Sequence, residues 1–240
     1  MSEGPKPSCV LLLFIAFASQ PSIAAQTWGG SLGVTSDYLV RGISRSDHDP
    51  AIQADFHVAT ESGLFGGMSV SSVKVSSAEG RSAELSAFVG GVWDIRSPWR
   101  AKILASHYTY PWSSGGSHYN YDELVVEAAY EEWFDLSVTY SPNAPRYLPY
   151  EGLIAVSEKT AELNLRTPWR HRLAATAGVG YSDVAGPDGA GYAYWSAGGM
   201  YDLAPWTFSL SYVSTNTAAP YLFYSAAAHD RWTATAIWRF

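Results

Sequence analysis

The sequence predicts an all-β chain folded as an up-and-down antiparallel transmembrane β-barrel of about 12 strands, with both termini on the periplasmic side. Three observations carry the prediction. Trp232, Ala234, Ala236, Trp238 and Phe240 alternate with Thr233, Thr235, Ile237 and Arg239, a strict period of two that marks a strand between two different surroundings. The connections between candidate strands alternate long and short along the chain. Charged residues keep to one parity of strand after strand.

Composition narrows the class. The 240 residues hold 15 Lys+Arg against 22 Asp+Glu, a formal net charge of -7, and only 15% of residues are charged. The acidic balance argues against nucleic acid as a partner, and no stretch reaches the roughly 18 consecutive apolar residues of a membrane helix. Residues 1–25 have the three parts of a secretory signal peptide: Lys6, the apolar run from Cys9 to Ala18, and Ser22-Ile23-Ala24-Ala25 before the expected cut. That run is too short to anchor the chain in a bilayer. Residues 26–240 then form one barrel domain. Cys9, the single cysteine, leaves with the leader, so no disulfide is expected.

In chain order, the first strand covers residues 28–36 and is followed by a long polar segment, 37–50. The second, 51–60, returns through Glu61-Ser62-Gly63. The third is followed by the polar stretch 74–81, and the fourth by the compact turn 94–98. The rhythm continues with loop 111–118, turn Glu131-Glu132, loop 142–151, turn Arg166-Thr167-Pro168, loop 182–191, turn 202–205 and a last loop over 214–229. Long loops on one rim and tight turns on the other suit an even-stranded membrane barrel. Three short turns also repeat: Asp94-Ile95-Arg96-Ser97-Pro98-Trp99, Asn164-Leu165-Arg166-Thr167-Pro168-Trp169 and Asp202-Leu203-Ala204-Pro205-Trp206. Trp99, Trp133, Trp169, Trp206 and Trp238 are the expected aromatic girdle at the lipid–water boundary, with core tryptophans at strand starts as the competing reading.

Parity assigns the faces. Ile52, Ala54, Phe56 and Val58 oppose Gln53, Asp55 and His57; Leu124, Val126 and Ala128 oppose Glu123 and Glu127; Phe134, Leu136 and Val138 oppose Asp135 and Ser137. An inward cation moved to the lipid face near midplane costs about 2–4 kcal/mol, so parity fixes register as well as topology. A soluble barrel would show the reverse sense. The inward candidates for the lumen or its constriction are Asp55, His57, Glu84, Arg100, Lys102, Glu123, Glu127, Asp135, Glu162, Arg170 and Arg172. They form either a charged constriction that selects solutes or a structural ion-pair network filling a narrow lumen.

Several motifs carry a family resemblance. Thr35-Ser36-Asp37-Tyr38 with Arg41-Gly42-Ile43-Ser44, then Pro50-Ala51 with Gln53, resembles the N-terminal signature of the TorF-type porin family of proteobacteria. Glu61-Ser62-Gly63-Leu64-Phe65-Gly66-Gly67, His107-Tyr108-Thr109-Tyr110-Pro111, Asn120-Tyr121-Asp122-Glu123 and Tyr140-Ser141-Pro142-Asn143 follow in the order expected of that family. The resemblance implies an outer-membrane barrel and a channel-type protein, in contact with the lipid bilayer, lipopolysaccharide and the barrel assembly machinery. Trp238 and Phe240 match the C-terminal assembly signal of such barrels.

The expected function is a porin-like channel for passive diffusion of small hydrophilic solutes. The alternatives are a closed structural barrel with partner-binding loops and an outer-membrane barrel hydrolase. Asp37 and Arg41 are expected to form a fold-back ion pair that orders the first loop, with Tyr38 alongside and Gly42 supplying the backbone turn. For the hydrolase reading, Asp55, His57, Ser69 and Ser71 could face one another, although a lumenal hydrogen-bond ladder explains them equally well. Asp47-His48-Asp49 offers too few ligands for a metal site. No catalytic residue, metal or cofactor is expected, since Gly-x-Ser-x-Gly, His-Glu-x-x-His and phosphate-loop patterns are missing from the sequence.

Overall fold

A computed structural model describes residues 27–74, 80–113, 116–148, 152–184, 190–223 and 225–240. The expected leader lies outside them. Period-two segments become strands throughout: β1 (Thr27–Thr35), β2 (Leu39–Val40), β3 (Ile43–Ser44), β4 (Ala51–Ala59), β5 (Leu64–Val73), β6 (Ser82–Arg96) and β7 (Trp99–Thr109). They continue as β8 (Tyr121–Tyr130), β9 (Phe134–Leu148), β10 (Gly152–Arg166), β11 (Leu173–Val184), β12 (Ala190–Leu203), β13 (Trp206–Thr215) and β14 (Arg231–Arg239). A single-turn helix, α1 (Ala219–Leu222), sits in the last long connection.

β1 and β4–β14 form one closed antiparallel barrel of 12 strands, each paired with its sequence neighbour, while β2 and β3 make a separate hairpin. β1 closes the circle by pairing with β14, Ser31 opposite Arg239 and Thr35 opposite Thr235. Phe240 extends that seam. Its backbone N–H donates to Gly30 O and Gly30 N–H to Phe240 O, both at 3.1 Å. A Cβ on Gly30 would stand 2.7 Å from Phe240 Cζ, so the missing side chain is what lets the terminal ring lie over β1.

The barrel wall is inverted relative to a water-soluble protein. Leu32, Val34, Ile52, Phe56, Met68, Val89, Leu124, Val126, Leu136, Val138, Val179 and Leu210 are exposed on its outside. Asp55, Ser71, Glu84, Ser86, Glu123, Asp135, Ser137, Thr139, Thr160, Asn164 and Ser182 are buried inside. A continuous apolar outer surface with a polar interior is stable only in lipid, and the chain is a transmembrane β-barrel. At the short-turn rim the exposed Trp99 packs edge-on to Tyr130 at 5.1 Å, Trp206 stacks on Phe208 at 6.1 Å and Trp238 meets Phe240 at 5.0 Å. Trp133 is exposed there too. Trp169 is half-buried instead, its ring 5.4 Å from the Arg166 guanidinium.

Two expectations need correction. The segment 142–151 is strand rather than loop over most of its length, because β9 continues to Leu148 and β10 begins at Gly152. Pro142 is tolerated because a bulge shifts register between Val156 and Glu158, and because the Asn143 side chain accepts from Asp122 N–H at 2.8 Å. Arg170 and Arg172 do not line the lumen. β10 ends at Arg166 and β11 starts at Leu173, leaving both arginines exposed on a turn in which His171 (φ 50) and Arg172 (φ 67) are left-handed.

Candidate functional site

The first long connection folds back into the bore. Asp37 anchors its entry: Ser44 Oγ donates to Asp37 Oδ1 at 2.6 Å, Ser46 Oγ at 2.9 Å, and Arg231 Nη1 reaches Oδ2 at 2.6 Å. The expected Asp37–Arg41 pair is thus replaced. The two backbones diverge because Arg41 (φ 52) and Gly42 (φ 78) form the left-handed tip of the β2–β3 hairpin, which carries Arg41 away from its own root. At the far wall Arg41 Nη2 bonds Glu123 of β8 at 2.6 Å and Nη1 bonds Glu158 of β10 at 2.9 Å. Gly42 fits a space no side chain could share, since its Cβ would stand 2.7 Å from Thr215 Cγ2 and 3.0 Å from Tyr194 Cβ.

Apolar packing holds both faces of the hairpin. Tyr38 and Val40 join Val73, Tyr108, Tyr110 and Tyr121, whereas Ile43 joins Val156, Val184, Tyr192 and Tyr194. Tyr38 and Tyr110 both donate their hydroxyls to Glu84, Tyr38 at 2.9 Å. Burial, then the neighbouring Glu84 charge, pushes the Tyr38 hydroxyl well above the ordinary tyrosine range, so it stays a donor. At the outer edge Lys74 hydrogen-bonds Asp47 at 2.7 Å and lies 3.9 Å from Asp49, and the bond to Asp47 raises its pKa. Among the described residues no group of three or more His, Cys, Asp or Glu side chains is placed to hold a metal.

The hairpin divides the interior. On its short-turn side a cavity of about 110 Å³ is lined chiefly by small polar side chains, among them Ser31, Thr35, Ser69, Ser196, Ser211 and Thr235. On its long-loop side a cavity of about 180 Å³ lies among Arg41, Arg45, Tyr110, Tyr121, Arg146 and Tyr192. Nearer the short turns the charges pair across neighbouring strands. Lys102 bridges to Glu127, Asn164 Nδ2 donates to Asp135 at 2.9 Å, and Arg166 meets Glu132 at 2.7 Å. Glu162 shares the inward parity of Glu158 on β10, and Arg100 Nη2 donates to Glu131 O at 2.9 Å.

His57 lies beside Asp55 in a hydrogen-bonded group on the inner wall. Asp55 lies between the other two groups, accepting from Ser31 Oγ and contacting His57 Nδ1 at 3.1 Å. Ser69 bonds Ser86 at 2.7 Å, and Ser71 accepts from Gln53 at 3.3 Å.

A model of one bacterial protein family, Gcw_chp, matches residues 19–239. The chain belongs to the Gcw_chp family of bacterial proteins of unknown function. No curated protein matches it. Solved structures similar to this Gcw_chp chain include porins. The NanC porin is 7% identical with a TM-score of 0.56, over 88% of this chain and 98% of its own. The KdgM porin is 10% identical with a TM-score of 0.50, over 89% of this chain and 99% of its own. A KdgM porin in complex with disordered oligogalacturonate is 9% identical with a TM-score of 0.52, over 89% and 99% respectively. At such identities the shared property is the barrel.

In this Gcw_chp barrel the interior groups that sequence reasoning left out are Glu158, Arg45, Arg146 and the inward tyrosines Tyr108, Tyr110, Tyr121, Tyr192 and Tyr194. Most had a signal. Tyr108 shares parity with Lys102, Tyr121 with Glu123, and Glu158 with Glu162. Arg146 was hidden in the segment expected to be loop.

Proposed function

We propose that the protein is a bacterial outer-membrane channel through which small hydrophilic solutes diffuse, delivered by a cleaved signal peptide and inserted by the barrel assembly machinery. The observation that carries this reading is the small-residue polar bore beside β1, β13 and β14. Its Ser and Thr hydroxyls replace water for a passing solute without trapping it. Porin neighbours with the same barrel form support it, and the KdgM porin in complex with disordered oligogalacturonate is a precedent for a hydrophilic ligand. The sequence motifs support a finer likeness to TorF-type porins. The hairpin serves as the constriction, with Arg41, Glu123 and Glu158 as its charged groups. Lys102, Glu127, Asp135 and Glu162 set the field below it.

One observation favours a second reading, a closed barrel with partner-binding loops: the hairpin packs apolar residues against two opposite walls. Planar-bilayer recording from refolded protein separates the two. Discrete single-channel steps are expected; silence at high protein load, with the barrel shown folded by heat-dependent gel mobility, contradicts the channel.

A further inference from the structure

By its lining alone, with Arg41, Arg45, Lys74 and Arg146 against Glu123 and Glu158, the cavity on the long-loop side of the hairpin is net positive. Its two acidic residues, Glu123 and Glu158, are both engaged by Arg41. The remaining charged lining is cationic: Arg45 after β3, Lys74 after β5 and Arg146 near the end of β9. Lys74 is held by Asp47. Arg45 differs, because its Nε is closed off from solvent and meets no acceptor among the described residues. The nearby Glu84 carboxylate accepts from Tyr38 and Tyr110 and also attracts Arg45 electrostatically, without a direct salt bridge between them among the described residues. The Arg45 guanidinium lines the cavity, where a carboxylate gains a charge-assisted hydrogen bond from its accessible edge. The planar guanidinium suits a carboxylate, which can take two parallel hydrogen bonds from it. Tyr110, Tyr121 and Tyr192 add ring surface on the walls, and the volume of about 180 Å³ suits a small organic molecule rather than a lone ion.

We propose that this cavity binds a small carboxylate-bearing solute, held by Arg45 beside the Tyr110 and Tyr121 wall. The site deepens the channel reading and rests on it for its role, as a recognition step ahead of the constriction. Overall acidity is no obstacle, since the local field near the site is set by the residues lining it.

Calorimetric titration of the folded full-length protein in detergent, with D-glucuronate, D-glucose and inorganic phosphate as probes, tests the proposal. Glucuronate should bind at least tenfold more tightly than glucose and more tightly than phosphate. Arg45→Gln should lose about tenfold of the glucuronate affinity, equivalent to about 1.4 kcal/mol, and Arg45→Lys, which keeps the charge but not the fork, should lose less. Equal binding of glucuronate and glucose by the wild type overturns the proposal whatever the variants do. So does an unchanged glucuronate affinity in a folded Arg45→Gln variant, and tighter phosphate binding overturns the carboxylate assignment. Failure of the site is distinguishable from failure of the channel: a barrel that conducts but binds the probes alike lacks the site, whereas one that binds glucuronate but carries no current is not a channel.

Discussion

Arg41 is the residue on which the interior arrangement turns. It is 5% exposed and bridges carboxylates from two barrel strands, so removing it leaves Glu123 and Glu158 without the cation that balances them. Breaking such a buried pair costs at most about 3–5 kcal/mol. Release of the hairpin from the bore relieves most of that cost, because water then reaches both carboxylates. Arg41→Ala is therefore expected to lower the urea midpoint of the refolded barrel by less than a full loss of stability and to expose the hairpin to limited proteolysis. Unchanged protease resistance would show that the apolar contacts alone hold the hairpin. Gly42→Val should act alike, as its side chain meets Thr215 and Tyr194. Residue identities at the tip, Arg41 and Gly42, were legible as a turn. The partners of Arg41 were not, since sequence spacing says nothing about which wall a folded-back loop reaches. Asp37 looked like its mate only because it is near in the chain.

At the scale of elements, the strands were the most legible part, because lipid outside and polar groups inside impose a strict period of two. The errors fell where that rule lapses. The segment from Pro142 was expected to be loop, yet β9 absorbs that proline with a bulge and a side-chain substitute for a ladder bond. Arg170 and Arg172 kept the parity of a strand that begins only at Leu173. Neutralising both, as Arg170→Gln with Arg172→Gln, should leave single-channel current and its ion selectivity unchanged; a clear shift in reversal potential would place them back on the solute path. The seam strand gives a contrasting expectation. Phe240→Ala removes the ring over Gly30 but keeps the backbone pairing, so the fraction of heat-resistant folded barrel should drop in refolding assays. An undiminished yield would mean that the ring contributes nothing to closure.

For the whole molecule, the inversion of polarity determines what the barrel can do. The outside is apolar over most of the wall while the inside offers hydroxyls, paired charges and a hairpin, so the channel reading puts solute chemistry in the bore. Cysteine substitution tests this directly. Ser209→Cys, facing the cavity, should react with a charged thiol reagent, whereas Leu210→Cys on the outer face should not when the barrel sits in lipid; equal labelling would contradict the assignment of faces. Barrel, strand number and the sense of the wall could be argued from sequence because each is a repeated signal. The placing of a hairpin between the two cavities described could not, since it arises from one short segment whose contacts lie on other strands. The central claim, a polar bore throttled by that hairpin, is tested most directly by single-channel recording of the wild type beside Arg41→Ala. Discrete steps in the wild type and larger steps in the variant are the predicted result. Silence from both at high protein load, with both barrels folded, would contradict it.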